Sequence, residues 1–194
     1  MIIGITGCPG SGKTLLSRAL GGRGWNLLDA DDMGREVVDT DIRIRRQLAD
    51  AFGQDILDTD GMLNRRLTAQ RAFRSPESLL VLNGIVHPPL VEMLSRRAHE
   101  YQVKHMDSVV DCALIFEWEI AKIFDLIVCV AAQDKTRMRR IIERDGRTES
   151  EVIDMFDRQL TQDEKISRSD IIFRNDQGKD RIKNYAKMFD GLKA

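Results

Sequence analysis

The sequence is short of the features that mark specialised kinds of chain. Net charge is almost nil: 30 basic against 31 acidic residues leave −1 at pH 7 over 194 residues. That removes the broad field a dedicated nucleic-acid or membrane-surface binder needs, so neither partner is expected. Three cysteines, Cys8, Cys112 and Cys129, are too far apart for paired metal ligands and odd in number for a disulfide framework. Their scarcity points to a reducing compartment, the cytoplasm. Uninterrupted apolar runs are short, and one such as Leu126 to Ala132 falls far below the roughly 20 residues of a membrane span. No basic segment precedes the first apolar stretch, so a secretory signal is not expected. No repeat, low-complexity tract or Pro/Gly/Ser-rich linker supports a second independent domain. What is present, 42% hydrophobic and 31% charged residues, is the composition of a globular chain whose length suits one domain over 1–194 with insertions.

Five short apolar runs read as strands: Ile2 to Thr6, Asn26 to Leu28, Ser108 to Leu114, Leu126 to Ala132 and Asp170 to Phe173. Several are apolar without alternation, the pattern of strands covered on both faces, and helical stretches separate them. An α/β fold with a five-stranded parallel sheet and flanking helices follows. Between the second and third runs, helical periodicity at Ile42 to Phe52, Arg65 to Phe73, Pro76 to Val86 and Leu90 to Tyr101 predicts a helical insertion, roughly 40–107. His87-Pro88-Pro89 is read as opening the last of these helices, proline being at home in a first turn. After the fourth run, Lys135 to Arg147 carries six cationic side chains against Glu143 and Asp145, a local basic segment in an otherwise balanced chain.

Gly7-Cys8-Pro9-Gly10-Ser11-Gly12-Lys13-Thr14 fits the GxxxxGK[ST] phosphate loop and lies between a strand and a helix, as its mechanism requires. Glycines let successive N–H groups turn inward onto phosphate oxygens, and the helix start adds a favourable dipole. Lys13 would reach the β- and γ-phosphates of ATP, and the Thr14 hydroxyl would ligate Mg²⁺. Cys8 is read as a passive small residue rather than an activated thiol. Asp58-Thr59-Asp60-Gly61 matches the DxxG of GTPases but follows no parallel strand, so it is read as a turn. A phosphate loop names the nucleotide and not the reaction; a small-molecule kinase, for example one acting on nucleoside monophosphates, and a nucleotide-dependent switch both carry it.

Beyond the loop the chain resembles the dephospho-CoA kinase family over nearly its whole length. The markers are Asp29-Ala30-Asp31, Gly34-Arg35-Glu36-Val37-Val38, Phe52-Gly53, Asp60-Gly61-Met62-Leu63-Asn64-Arg65, Leu82-Asn83-Gly84-Ile85-Val86-His87-Pro88 and Leu114-Ile115-Phe116-Glu117. Arg140 with Arg144-Asp145-Gly146, Gln159 with Glu164-Lys165, and Asp170-Ile171-Ile172 before Asn175 complete them. The resemblance implies the P-loop nucleotide-kinase fold, with the insertion binding the acceptor and a lid at 134–150. It also implies transfer of the γ-phosphoryl of ATP to the 3′-hydroxyl of dephospho-CoA, the last step of coenzyme A synthesis. Such an enzyme needs a small-molecule acceptor and no macromolecular partner, and a monomer or weak homo-oligomer is expected. The chain departs from the family at Cys8-Pro9 in the loop, at Ala113, where proline is usual, and at Met155, where arginine is common.

Asp31, just past the carboxyl end of the second strand and matching the family's second aspartate, is the candidate for accepting the ribose proton. The other reading is that Asp31 or Asp32 caps the next helix. Asp111 resembles a Walker-B acid for Mg²⁺. Arg140 and Arg144 share a helical face with Arg137; Arg140 is placed to neutralise the transferring phosphoryl and Arg144 to hold nucleotide, unless they form ordinary surface pairs such as Arg140 with Glu143. By resemblance His87 and Arg65 meet the acceptor, and Asn175 lies near adenine.

Overall fold

A computed structural model of the chain describes residues 1–177 and 179–192. Five strands, β1 Ile2–Thr6, β2 Asn26–Asp29, β3 Ser108–Asp111, β4 Leu126–Ala131 and β5 Ile171–Arg174, alternate with helices. The described helices are α1 Lys13–Gly21, α2 Ala30–Thr40, α3 Ile42–Phe52, α4 Arg65–Ala72, α5 Pro76–Val103, α6 Asp134–Asp145, α7 Glu149–Phe156, α8 Gln162–Ser167 and α9 Lys179–Lys187. By contacts the chain forms two compact units, Met1–Asp29 with Ala98–Ala194, and Ala30–Arg97.

The first unit is built on the sheet, parallel throughout and ordered β2-β3-β1-β4-β5. The chain leaving β1 runs to one side, toward β2, and that leaving β4 runs to the other. That divergence opens a crevice at the carboxyl ends of the central strands, where sheets of this kind take ligands. Ile3, Ile5, Val109, Val128, Val130 and Phe173 point from one face into a core with Leu16 and Leu20 of α1 and Ile182, Ala186 and Phe189. Trp25 and Phe173 each meet Phe189 edge-on. At the opposite, amino ends, carboxylates tie neighbouring strands: Asp125 accepts from the Ile2 amide at 2.7 Å and Asp170 from the Ile127 amide at 2.7 Å. β3 stops at Asp111 instead of running to Leu114. The Ala113 carbonyl is taken by the side chains of Thr6 and Lys165 rather than by another strand, so the ladder ends there.

The second unit contains α2, α3, α4 and the first part of α5. Asp41 caps α3 by accepting from the Arg43 amide at 2.8 Å, and Asn64 caps α4 through the Leu67 amide at 3.1 Å. Asp58 to Gly61 is a turn closed by Gly61 N–H onto the Asp58 carbonyl. The two helices expected on either side of His87 are one: α5 continues through Pro88 and Pro89. A proline ring inside a helix collides with the carbonyl four residues back. For Pro88 that residue is Gly84, whose lack of a Cβ makes its backbone the easier one to distort, and for Pro89 it is Ile85. By length and composition alone α5 is long and apolar enough to cross a membrane, a property hidden when the segment is read as two helices.

Candidate active site

β1 delivers the chain into the phosphate loop, and α1 starts at Lys13 with Gly12 as its N-cap at φ 99° and no side-chain cap. The Ser11 amide closes a turn onto the Cys8 carbonyl at 3.1 Å. Gly10, at φ 77°, brings the loop against α6: a Cβ there would lie 2.6 Å from the Arg137 carbonyl oxygen. At Gly12 a Cβ would strike the amide nitrogen of Asn175. Asn175, 1% exposed, donates to the Ser11 carbonyl at 2.8 Å. The loop is thus walled by the end of β5 on one side and α6 on the other, while the first amides of α1 lack intrahelical acceptors and carry the positive end of its dipole. With no acidic residue in that first turn, the concavity suits a polyanion.

Inside it, the Lys13 ammonium donates to Asp111 Oδ1 at 2.7 Å. Asp111, at the end of β3 and 2% exposed, accepts on its other oxygen from Ser17 Oγ at 2.9 Å. Ser17 is absent from the sequence reading, although its place four residues after Lys13 puts it on the same helical face. The cluster supplies a hydroxyl at Thr14 and a carboxylate at Asp111, the hard oxygen donors that Mg²⁺ takes alongside water and phosphate. These residues fit that ion.

α6 lines the outer side of the loop. Arg137, 4% exposed, stacks 4.0 Å over the Phe156 ring and pairs with Asp134 at 2.7 Å. Arg140 donates to the carbonyls of Gly10 at 3.2 Å, Ser11 at 3.4 Å and Asn175 at 2.7 Å, and burial lowers its pKa from the usual arginine range. The surface pairing of Arg140 with Glu143 is not what forms: Arg139 takes Glu143, at 3.9 Å, because Arg140 is turned toward the loop. Arg144 pairs with its neighbour Asp145 at 2.7 Å.

The family model for dephospho-CoA kinase matches residues 1–180. The chain belongs to the dephospho-CoA kinase family. It is 36% identical over 174 residues to a dephospho-CoA kinase of Corynebacterium glutamicum, covering 89% of this chain and 87% of that protein. Among solved structures, it is similar to Thermus thermophilus TT1252 with a TM-score of 0.77 and 26% identity, over 100% of this chain and 98% of that one. A dephospho-CoA kinase from Campylobacter jejuni has the same fold at a TM-score of 0.70 and 14% identity, over 99% and 97% of the two chains.

In this dephospho-CoA kinase family member Cys8 lies buried in the loop, its Sγ donating to the Leu160 carbonyl at 3.7 Å. Burial raises its pKa above the ordinary thiol range, against the opposing pull of Arg137 and Lys165, so it is not an activated nucleophile. Asp31, Arg65 and His87 belong to the helical unit. Asp31 lies exposed within the first turn of α2, which starts at Ala30 directly after β2. α2 counts Asp31 and Asp32 within its first turn, past the position that precedes the first helical residue. Arg65 opens α4 and forms an ion pair with Asp39. His87 is partly buried in the middle of α5, not at a helix start, and burial lowers its pKa.

Proposed function

We propose that this chain transfers the γ-phosphoryl of ATP to the 3′-hydroxyl of dephospho-CoA, giving coenzyme A and ADP, in the cytoplasm. The observation that carries the reading is the walled phosphate loop with Lys13 held 2.7 Å from Asp111, in a chain matched by its family model over residues 1–180. The loop from Gly7 to Thr14, with Cys8, Pro9, Gly10, Ser11 and Gly12 between, cradles the phosphates through its backbone N–H groups, Pro9 shaping the turn without one of its own, and Lys13 exchanges Asp111 for the β- and γ-oxygens. Thr14 and Asp111 would hold Mg²⁺, which neutralises phosphate charge when bound. The 3′-oxygen forms the new bond to the γ-phosphorus, the bond to the bridging oxygen of ADP breaks, and the hydroxyl proton passes to the Asp31 carboxylate. Arg140 offsets charge on the transferring group, Arg144 and Asn175 hold the nucleotide, and Arg65 and His87 meet the acceptor. The segment 40–107 serves as the acceptor-binding part and 134–150 as the lid. We take the enzyme to work as a monomer or weak homo-oligomer without nucleic acid or membrane.

The test is ATP turnover measured with dephospho-CoA and, separately, with nucleoside monophosphates. ADP release only with dephospho-CoA is the expected result. Turnover only with a monophosphate overturns the acceptor, and ATP binding without transfer to any acceptor overturns the kinase reading.

A further inference from the structure

Among the large, fully buried side chains of the described residues is a lysine: Lys165 on α8, at 0% exposure. Its ammonium donates to Glu117 Oε1 at 2.5 Å and to the Ala113 carbonyl at 2.6 Å. Each acceptor has a second donor. Glu117 Oε1 also takes the Leu160 amide at 3.0 Å, and the Ala113 carbonyl takes Thr6 Oγ1 at 3.0 Å. The Leu160 carbonyl in turn receives Cys8 Sγ. Two bonded paths therefore leave the pair and end on the phosphate loop's entry, one at Thr6, the last residue of β1, and one at Cys8.

Stability is a poor account of such a pair. Removing two charges from water costs about as much as their attraction returns, and well-packed hydrophobic replacements of similar volume often fold as stably or more so. What apolar side chains cannot supply is direction: the ammonium and carboxylate fix where the Ala113 carbonyl and the Leu160 amide point. We propose that Glu117 and Lys165 are positioning residues for ATP, holding Thr6 through Ala113 and Cys8 through Leu160 so that the first turn of the phosphate loop keeps its anion-binding shape. The proposal rests on the reading that this loop binds ATP. The departure at Cys8 matters here, since its thiol is the donor that ties the loop to Leu160.

Four variants separate positioning from mere support: Glu117→Ala, Glu117→Gln, Glu117→Asp and the charge-free double Glu117→Leu/Lys165→Met. KM for ATP is independent of how much protein is folded, whereas apparent kcat falls with the folded fraction, so KM reads the loop alone. Expected is a rise in KM for ATP of roughly tenfold in Glu117→Ala and in the double variant, with Tm of the double close to wild type. Glu117→Gln, which keeps an oxygen for the Leu160 amide, should stay within about threefold, and Glu117→Asp, which withdraws that oxygen by one carbon, should fall between. Cys8 supplies an independent readout. Its alkylation by iodoacetamide, followed peptide by peptide, should rise in Glu117→Ala while Cys112 and Cys129 stay protected, and ATP should suppress the rise. An unchanged KM for ATP in every folded variant overturns the proposal, as does a rise at all three cysteines together, which signals general loosening. If Glu117→Ala and the double fail to fold, Glu117→Asp decides by the same criterion. Wild-type protein that does not phosphorylate dephospho-CoA refutes the proposed function instead; ATP affinity by equilibrium dialysis and Cys8 alkylation then decide the present proposal.

Discussion

Asp31 shows what a single carboxylate can be asked to do. It is an acidic residue in the first turn of α2, where the helix dipole favours its charge, so Asp31→Asn should cost about 0.3–1 kcal/mol, read by chemical denaturation. If it accepts the ribose proton, the same variant should bind ATP normally yet lose on the order of 10²-fold or more in kcat. Near-normal turnover would remove it from the mechanism. Cys129 gives a pH signature: burial, with Cys8 nearby, raises its pKa to about 11. The neutral thiol is then the form the fold favours, so this contribution is complete below the free-thiol value, near 8.5. It is lost as pH rises through about 11. Cys129→Ala should flatten the decline in Tm between pH 9 and 11; an identical decline in both proteins would refute it. Lys13 and Thr14 were legible as candidates because the phosphate-loop motif names them, and Asp111 because it is a carboxylate at the end of an apolar run; Asn175 came only from the family resemblance. Ser17 was not legible, since a serine inside a helix reads as a solvated side chain until burial is known, and Lys165 was visible only as part of a family marker with no role attached.

At the scale of elements, α6 is the informative case. Its five cations, with Arg147 just beyond it, suggest a segment that repels itself until polyphosphate arrives, and the contacts divide it. Arg137 and Ile141 are buried and Arg140 is bonded to the loop, so the front of α6 is anchored; Arg144 and Arg147 pair only with Asp145 among the ion pairs described. Amide exchange should therefore show protection gained with ATP and dephospho-CoA chiefly from Arg144 through α7, with the first two turns of α6 little changed. Equal protection with and without ligands would refute a closing lid. Arg140→Ala should lower kcat more than it weakens ATP binding if the guanidinium meets charge that develops during transfer. A loss confined to ATP affinity would mark it as a loop support only. α5 is where the sequence misled: Pro88 and Pro89 are read locally as a helix start, and nothing local reveals that the helix runs on through both.

Across the whole molecule, the parallel sheet was readable because strands buried on both faces leave unbroken apolar runs, and the phosphate loop told which ends of the strands hold ligand. Strand order was not readable, since it depends on which distant segments meet. The same core sets the expected sensitivity: Leu16, fully buried between sheet and α9, should cost about 2–5 kcal/mol as Leu16→Ala by urea denaturation. A loss below 1 kcal/mol would mean that the face of the sheet it covers is not closely packed. The central position of β1 also bears on how the chain comes to exist. Its partners begin at Ser108 and Leu126, paired with Ile2 and Ile3, so the first strand made is the middle strand of the sheet and has no neighbour while more than a hundred residues are translated. At about 5–20 residues per second the nascent Ile2–Thr6 segment waits roughly 5–20 s with its backbone unpaired, an interval in which the ribosome and its attendant chaperones, not the native fold, must keep it from other edges.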